Sequence, residues 1–102
     1  MDDATIRHLQ SLAIQVDRIM REELTRNKIE YDFAEARILN LRNVGVQGDD
    51  RTYDYPAEIN ITKHGRVVYY PDFAANLSSR ITNEVRGVNR VVYVMATKKR
   101  AY

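Results

Sequence analysis

One glycine divides residues 79–93 into two incompatible periods, and that switch limits what the chain can fold into. Before it, Phe73, Leu77, Ile81 and Val85 recur at four-residue steps, the apolar face of a helix. After it, residues 88–94 read Val-Asn-Arg-Val-Val-Tyr-Val, a β-branched and aromatic run that suits a strand. Gly87 then falls where a left-handed C′ residue ends the helix, with Arg86 in the last turn against the negative end of the helix dipole. The pattern predicts an αβ unit and carries no catalytic group.

The rest of the chain adds one more helix and several strands. Ile6, Leu9, Ala13, Val16, Met20 and Leu24 step by three and four, widened by Leu12 and Ile19. This predicts a helix from Asp3 to about Arg26, with Asp2 or Asp3 as its cap and Arg7, Gln10, Asp17, Arg18, Arg21 and Glu22 on a solvated face. Strand-forming residues dominate 36–46, and Gly48-Asp49-Asp50-Arg51 signals a turn. In residues 52–62, Tyr53, Tyr55, Ala57, Ile59 and Ile61 alternate with polar neighbours, as in a half-buried antiparallel strand. Pro56 inside it suggests an edge strand or a bulge. His64-Gly65 reads as a hairpin turn into a short strand over 67–70, and Pro71 fits the first position of the second helix.

Two helices and an antiparallel sheet give an α+β fold, a two-layer sandwich with both helices on one face. At 102 residues the chain has room for one domain and one core. A net charge of +2 gives no bulk drive toward nucleic acid, and with no cysteine there is no disulfide or thiolate chemistry. The acidic start and the lack of a long apolar run predict neither a signal peptide nor a membrane span, hence a cytoplasmic location. His8 and His64 lack metal-ligand neighbours at the usual spacings and read as surface residues.

Two blocks then resemble one family. Residues 79–93, Ser-Arg-Ile-Thr-Asn-Glu-Val-Arg-Gly-Val-Asn-Arg-Val-Val-Tyr, and residues 44–55, Val-Gly-Val-Gln-Gly-Asp-Asp-Arg-Thr-Tyr-Asp-Tyr, look like the two signature stretches of the C-terminal, dimerisation domain of GMP synthase. That resemblance implies an α+β domain that supplies dimer contacts and part of an XMP (or GMP) pocket. The family's ATP and Mg chemistry belongs to a separate pyrophosphatase domain, whose Ser-Gly-Gly-x-Asp-Ser loop this chain lacks. By the resemblance, Gln47 matches a loop glutamine that contacts XMP, and Lys98 matches the lysine that reaches the substrate phosphate. Family members continue with Lys-Pro-Pro-Ala-Thr-Ile-Glu-Trp-Glu as a final edge strand, whereas this chain ends Lys98-Lys99-Arg100-Ala101-Tyr102. The strand over 67–70 is a candidate to cover the edge left open.

Gly45 and Gly48 free the backbone around Gln47, and Asp49 and Arg51 can orient a polar ligand, although Gly-Asp-x-Arg is also an ordinary turn. Lys98 begins a basic tip suited to phosphate or simply to solvent. Arg80, Glu84, Arg86 and Arg90 are candidates for a two-fold interface, with plain i, i+4 pairing of Arg80 and Glu84 as the alternative. These readings predict a homodimer, catalytically inert alone and without a cofactor of its own, working with an ATP pyrophosphatase subunit. The initial Met1 and the non-family ending suggest a complete small protein. A divergent paralogue that kept only the scaffold is the second reading. KH-like RNA binding through Gly45-Val46-Gln47-Gly48 is a third, disfavoured because that motif joins helices in KH domains and strands here.

Overall fold

The computed structural model describes residues 2–41, 43–44 and 53–98. The order is α1 (Asp3–Arg26), β1 (Phe33–Ile38), β2 (Asn43–Val44), β3 (Tyr53–Lys63), β4 (Arg66–Val67), α2 (Pro71–Glu84) and β5 (Val88–Tyr93). The two-layer α+β sandwich expected from the sequence is what forms, with both helices on one face of the sheet.

The eleven-residue strand β3 is the axis of the sheet. Thr62 pairs with Phe33 of β1 and with Val67 of β4, and Ala57 pairs with Ile38 and with Val91, so both edges of β3 are occupied. The alternation read from the sequence holds. Tyr55, Ala57, Ile59 and Ile61 are buried against Leu12, Val16, Ile19, Met20 and Leu24 of α1 and Phe73, Leu77 and Ile81 of α2. Asp54, Glu58, Asn60 and Thr62 occupy the opposite, partly open face.

Pro56 resolves differently from an edge strand. It is buried in the central strand, and the ladder shifts register beside it, Tyr55 opposite Val88 but Pro56 opposite Arg90. Of the two expectations, the bulge is correct. The Pro56 carbonyl accepts from the Leu39 amide at 3.0 Å, but proline has no N–H to return the bond, and β1 ends one residue earlier at Ile38.

Within the sheet, β1, β2 and β4 pair antiparallel with β3, whereas β5 runs parallel to it. Parallel neighbours need a crossover connection, and α2 provides it. β4 is shorter than the strand expected over 67–70 and pairs with β3, so it does not cover the outer edge of β5. The hairpin before it is as read: His64 (φ 53°) and Gly65 (φ 75°) form the two-residue loop, both left-handed as a type I′ turn requires. Tyr93 pins the following link by donating its hydroxyl to the Val68 carbonyl at 2.5 Å, and burial pushes its pKa to about 12.

Helix ends follow their sequence signals with one exception. Asp2 caps α1 by accepting from the Thr5 amide at 2.7 Å, and Pro71 opens α2. At the other end α2 stops at Glu84 with Val85 as its extended cap, so Arg86 lies outside the last turn and Gly87 is one position beyond C′. The glycine is still required. Its φ is +106°, its carbonyl accepts from the Tyr55 amide at 2.9 Å, and an added Cβ would meet a Leu12 methyl at 3.3 Å.

Two substitutions test this arrangement by urea denaturation. Gly87→Ala should cost about 1–3 kcal/mol, the scale of a residue held in a sparsely allowed backbone region. Ile59→Ala, at a fully buried site in β3, should cost about 2–5 kcal/mol through lost burial plus a cavity. A Gly87→Ala midpoint equal to that of the unsubstituted chain would show that the glycine is incidental to the fold.

Candidate functional site

β2 and the start of β3 are paired antiparallel, Asn43 with Asp54 and Val44 with Tyr53, so residues 45–52 connect two strands at one end of the sheet. That loop carries Gln47, Gly45, Gly48, Asp49 and Arg51, all of which lie outside the described residues. Lys98 is described and exposed, at the end of the irregular segment following β5. The parallel pairing of β5 fixes where that segment starts, with the Val94 amide on the Ile59 carbonyl at 2.8 Å. Five residue steps along β3 separate Asp54 from Ile59, about 17 Å of strand. The two halves of the expected pocket therefore leave β3 at different points along its length.

The expected interface residues divide into two groups. Arg86 and Arg90 are exposed, one beyond α2 and one on β5 opposite Pro56. Arg80 is occupied inside the chain. Its guanidinium donates to Glu84 at 2.8 and 3.0 Å, to Glu23 at 3.0 Å and to Glu22 at 3.0 Å. The i, i+4 pair with Glu84 thus forms, and the same fork also bridges α2 to α1. Sequence spacing cannot reveal Glu22 and Glu23, since the contacts span 57 and 58 residues.

Glu23 is the reason the bridge matters. It is only 3% exposed, and it also receives Arg26 at 3.1 Å, while Asn27 closes the helix end on its carbonyl. A carboxylate at that depth requires compensating donors. Hydrogen bonding to Glu84, then to Glu23 and Glu22, holds the Arg80 pKa well above its ordinary value, and Arg80 in turn lowers that of Glu84. A carboxyl with a depressed pKa stabilises the fold above its unfolded value, and that contribution is lost as pH falls below it.

A further concavity lies elsewhere. A groove of about 1020 Å³ runs between the end of α1, the β3–β4 hairpin and the start of α2, lined by Lys28, Glu30, Lys63, Arg66, Tyr69 and Tyr70 among others. Lys63 is tied to Glu30, and the His64 amide donates to Asp32 at 2.7 Å. Lys28 and Arg66 also line it, and among the described residues neither forms an ion pair. Tyr69 and Tyr70 are both exposed along it, and Tyr69 packs edge-to-face on Tyr93 at 5.4 Å. Both histidines are exposed as expected, and no group of three or more His, Cys, Asp or Glu among the described residues could hold a metal ion.

The Arg80 bridge gives a pH-dependent expectation. Arg80→Met should destabilise the chain at pH 7, because Glu23 stays buried with only Arg26 as counter-charge. The difference between variant and unsubstituted chain should shrink below about pH 4.5, the ordinary Glu value, as the Glu84 carboxylate protonates. Urea midpoints at pH 7 and pH 3 measure it, and an equal difference at both would show that the bridge contributes packing rather than charge.

Comparison with known proteins places the chain. Residues 17–102 match the family described as GMP synthase C terminal domain. Glutamine-hydrolyzing GMP synthases of Nostoc punctiforme and a Synechocystis strain are each 42% identical to it over 80% of its length, and that of Borrelia garinii subsp. bavariensis is 39% identical over 82%. The chain spans 17% of the length of each of these relatives. With the matched blocks forming β2–β3 and α2–β5 of one sandwich, the chain belongs to the GMP synthase C-terminal domain family.

Proposed function

We propose that this chain serves GMP biosynthesis as the C-terminal domain of a GMP synthase, supplying dimer contacts and one part of an XMP or GMP site. The observation that carries this reading is 42% identity to glutamine-hydrolyzing GMP synthases across 80% of the chain. In this reading the chain is cytoplasmic and holds no cofactor. ATP and Mg are handled by a pyrophosphatase unit, here a separate subunit, and the isolated chain releases neither pyrophosphate nor AMP. No described helix is long and apolar enough to cross a membrane.

Gln47 contacts the nucleotide from the loop between β2 and β3, with Gly45 and Gly48 giving it freedom and Asp49 and Arg51 support. Lys98 meets the phosphate. A charge-assisted contact contributes about 1.5–3 kcal/mol, which alone supports millimolar binding or weaker. Affinity should therefore rise when a pyrophosphatase subunit closes the site. Titration of XMP into isotopically labelled chain is expected to move amides at residues 45–51 and at Lys98. Shifts only elsewhere, or none with the subunit present, would remove the pocket and leave the scaffold alone, which is the divergent-paralogue reading.

The dimer is tested separately. Sedimentation equilibrium at micromolar concentration should give twice the 11.9 kDa chain mass, and a single species of monomer mass would refute it.

A further inference from the structure

We propose that the groove between the end of α1, the β3–β4 hairpin and the start of α2 is a separate anion site, one that takes a nucleoside polyphosphate. It stands apart from the loop that carries Gln47. Ten residue steps along β3 separate Tyr53 from Lys63, about 33 Å of strand. The inference uses neither that loop nor Lys98, so it is independent of the XMP reading.

Lys28 opens the case. It follows α1 at φ 54°, with its amide donating to the Thr25 carbonyl at 3.1 Å and the Ile29 amide donating to the Leu24 carbonyl at 3.0 Å. These paired bonds form a Schellman cap, where glycine is the usual residue because a Cβ is disfavoured at positive φ. A lysine is held there instead, and it lines the groove. His64, at φ 53°, is the other non-glycine residue at positive φ among the described residues, and it lines the same groove.

The charges around the groove favour an anion. Lys63 is tied to Glu30, and Asp72 lies in the first turn of α2, where the positive end of the helix dipole offsets its charge. That leaves Lys28 and Arg66 without a carboxylate partner among the described residues. They belong to different elements, one after α1 and one opening β4, so a ligand that meets both must spread its charge along its length. A chain of phosphates does so, and both side chains suit phosphate. Tyr69 and Tyr70 then offer flat apolar surface, at 45% and 57% exposure, with buried Val68 and Phe73 beside them in the lining. Nucleobases of any kind stack on such rings. The volume of about 1020 Å³ has room for a ring, a sugar and a phosphate chain together.

ATP is the probe, since the chain lacks the phosphate-binding loop of a pyrophosphatase and any binding is at a site of its own. Titration into isotopically labelled chain should move the amides of Lys28, Arg66, Tyr69 and Tyr70. Adenosine should give no shift at the same concentration, and inorganic triphosphate should bind about fivefold or more weakly than ATP for want of a base to stack. Lys28→Gln combined with Arg66→Gln should weaken ATP at least about tenfold, and Lys98→Gln should leave its affinity unchanged. Lys28→Gly should raise the urea midpoint, by relieving the positive φ, and yet bind ATP more weakly. Circular dichroism checks that each variant is folded.

Shifts that survive loss of both cations overturn the groove. Shifts that vanish in Lys98→Gln but persist in the double variant put ATP at the XMP site proposed above, and overturn it equally. ATP that binds no tighter than inorganic triphosphate overturns the nucleoside assignment. A Lys28→Gly chain with full ATP affinity overturns the role of Lys28. Absence of any shift with ATP defeats the proposal and leaves the XMP reading untouched.

Discussion

Everything in this fold is referred to β3. A strand paired on both edges and covered on one face by two helices must present an apolar row to them, and Tyr55, Ala57, Ile59 and Ile61 do so. Each other element is placed by what it does for that row. α1 and α2 supply the covering side chains, while β1 and β5 satisfy the backbone groups on either side. Slipping β3 by one residue would turn Asp54, Glu58 and Asn60 inward, so the hydrophobic pattern fixes its register more firmly than any turn.

Local signals were therefore legible and long-range ones were not. Helix α1, its Asp2 cap, Pro71 at the head of α2 and the turn at His64-Gly65 all depend on neighbours a few residues apart. Pro56 shows the limit. From sequence, a missing N–H argues for an edge, yet the chain keeps it in the centre by ending β1 at Ile38 and bulging β5 past it. The direction of β5 was also hidden. Composition identifies a strand, but only the crossover through α2 makes it parallel. The end of α2 was read one residue too late, because Val85 continues the apolar face while its backbone has already become extended.

The candidate site was legible chiefly by family resemblance. Gln47 and Lys98 have no periodicity or pairing to mark them, since loops and tails answer to ligands and not to the core. Arg80 is the instructive case. Its charge and helical position fit an interface, but the buried Glu23 on α1 sets the stronger demand. A guanidinium already holding three carboxylates has little left for a partner chain. The helices are thereby locked to each other on the side where an interface was first sought.

The sheet poses a similar demand for polar partners at its outer strand. Backbone groups on an uncovered edge are as exacting as buried carboxylates, since each must bond to water, a side chain or another strand. Arg21 meets the demand at the Ala34 carbonyl, a side chain standing in for a strand. The rest of the β1 edge carries small residues, Ala34 and Ala36, which let another backbone approach, while Glu35 and Arg37 flank it with opposite charges. The same residues that leave β1 open thus also limit what can close it.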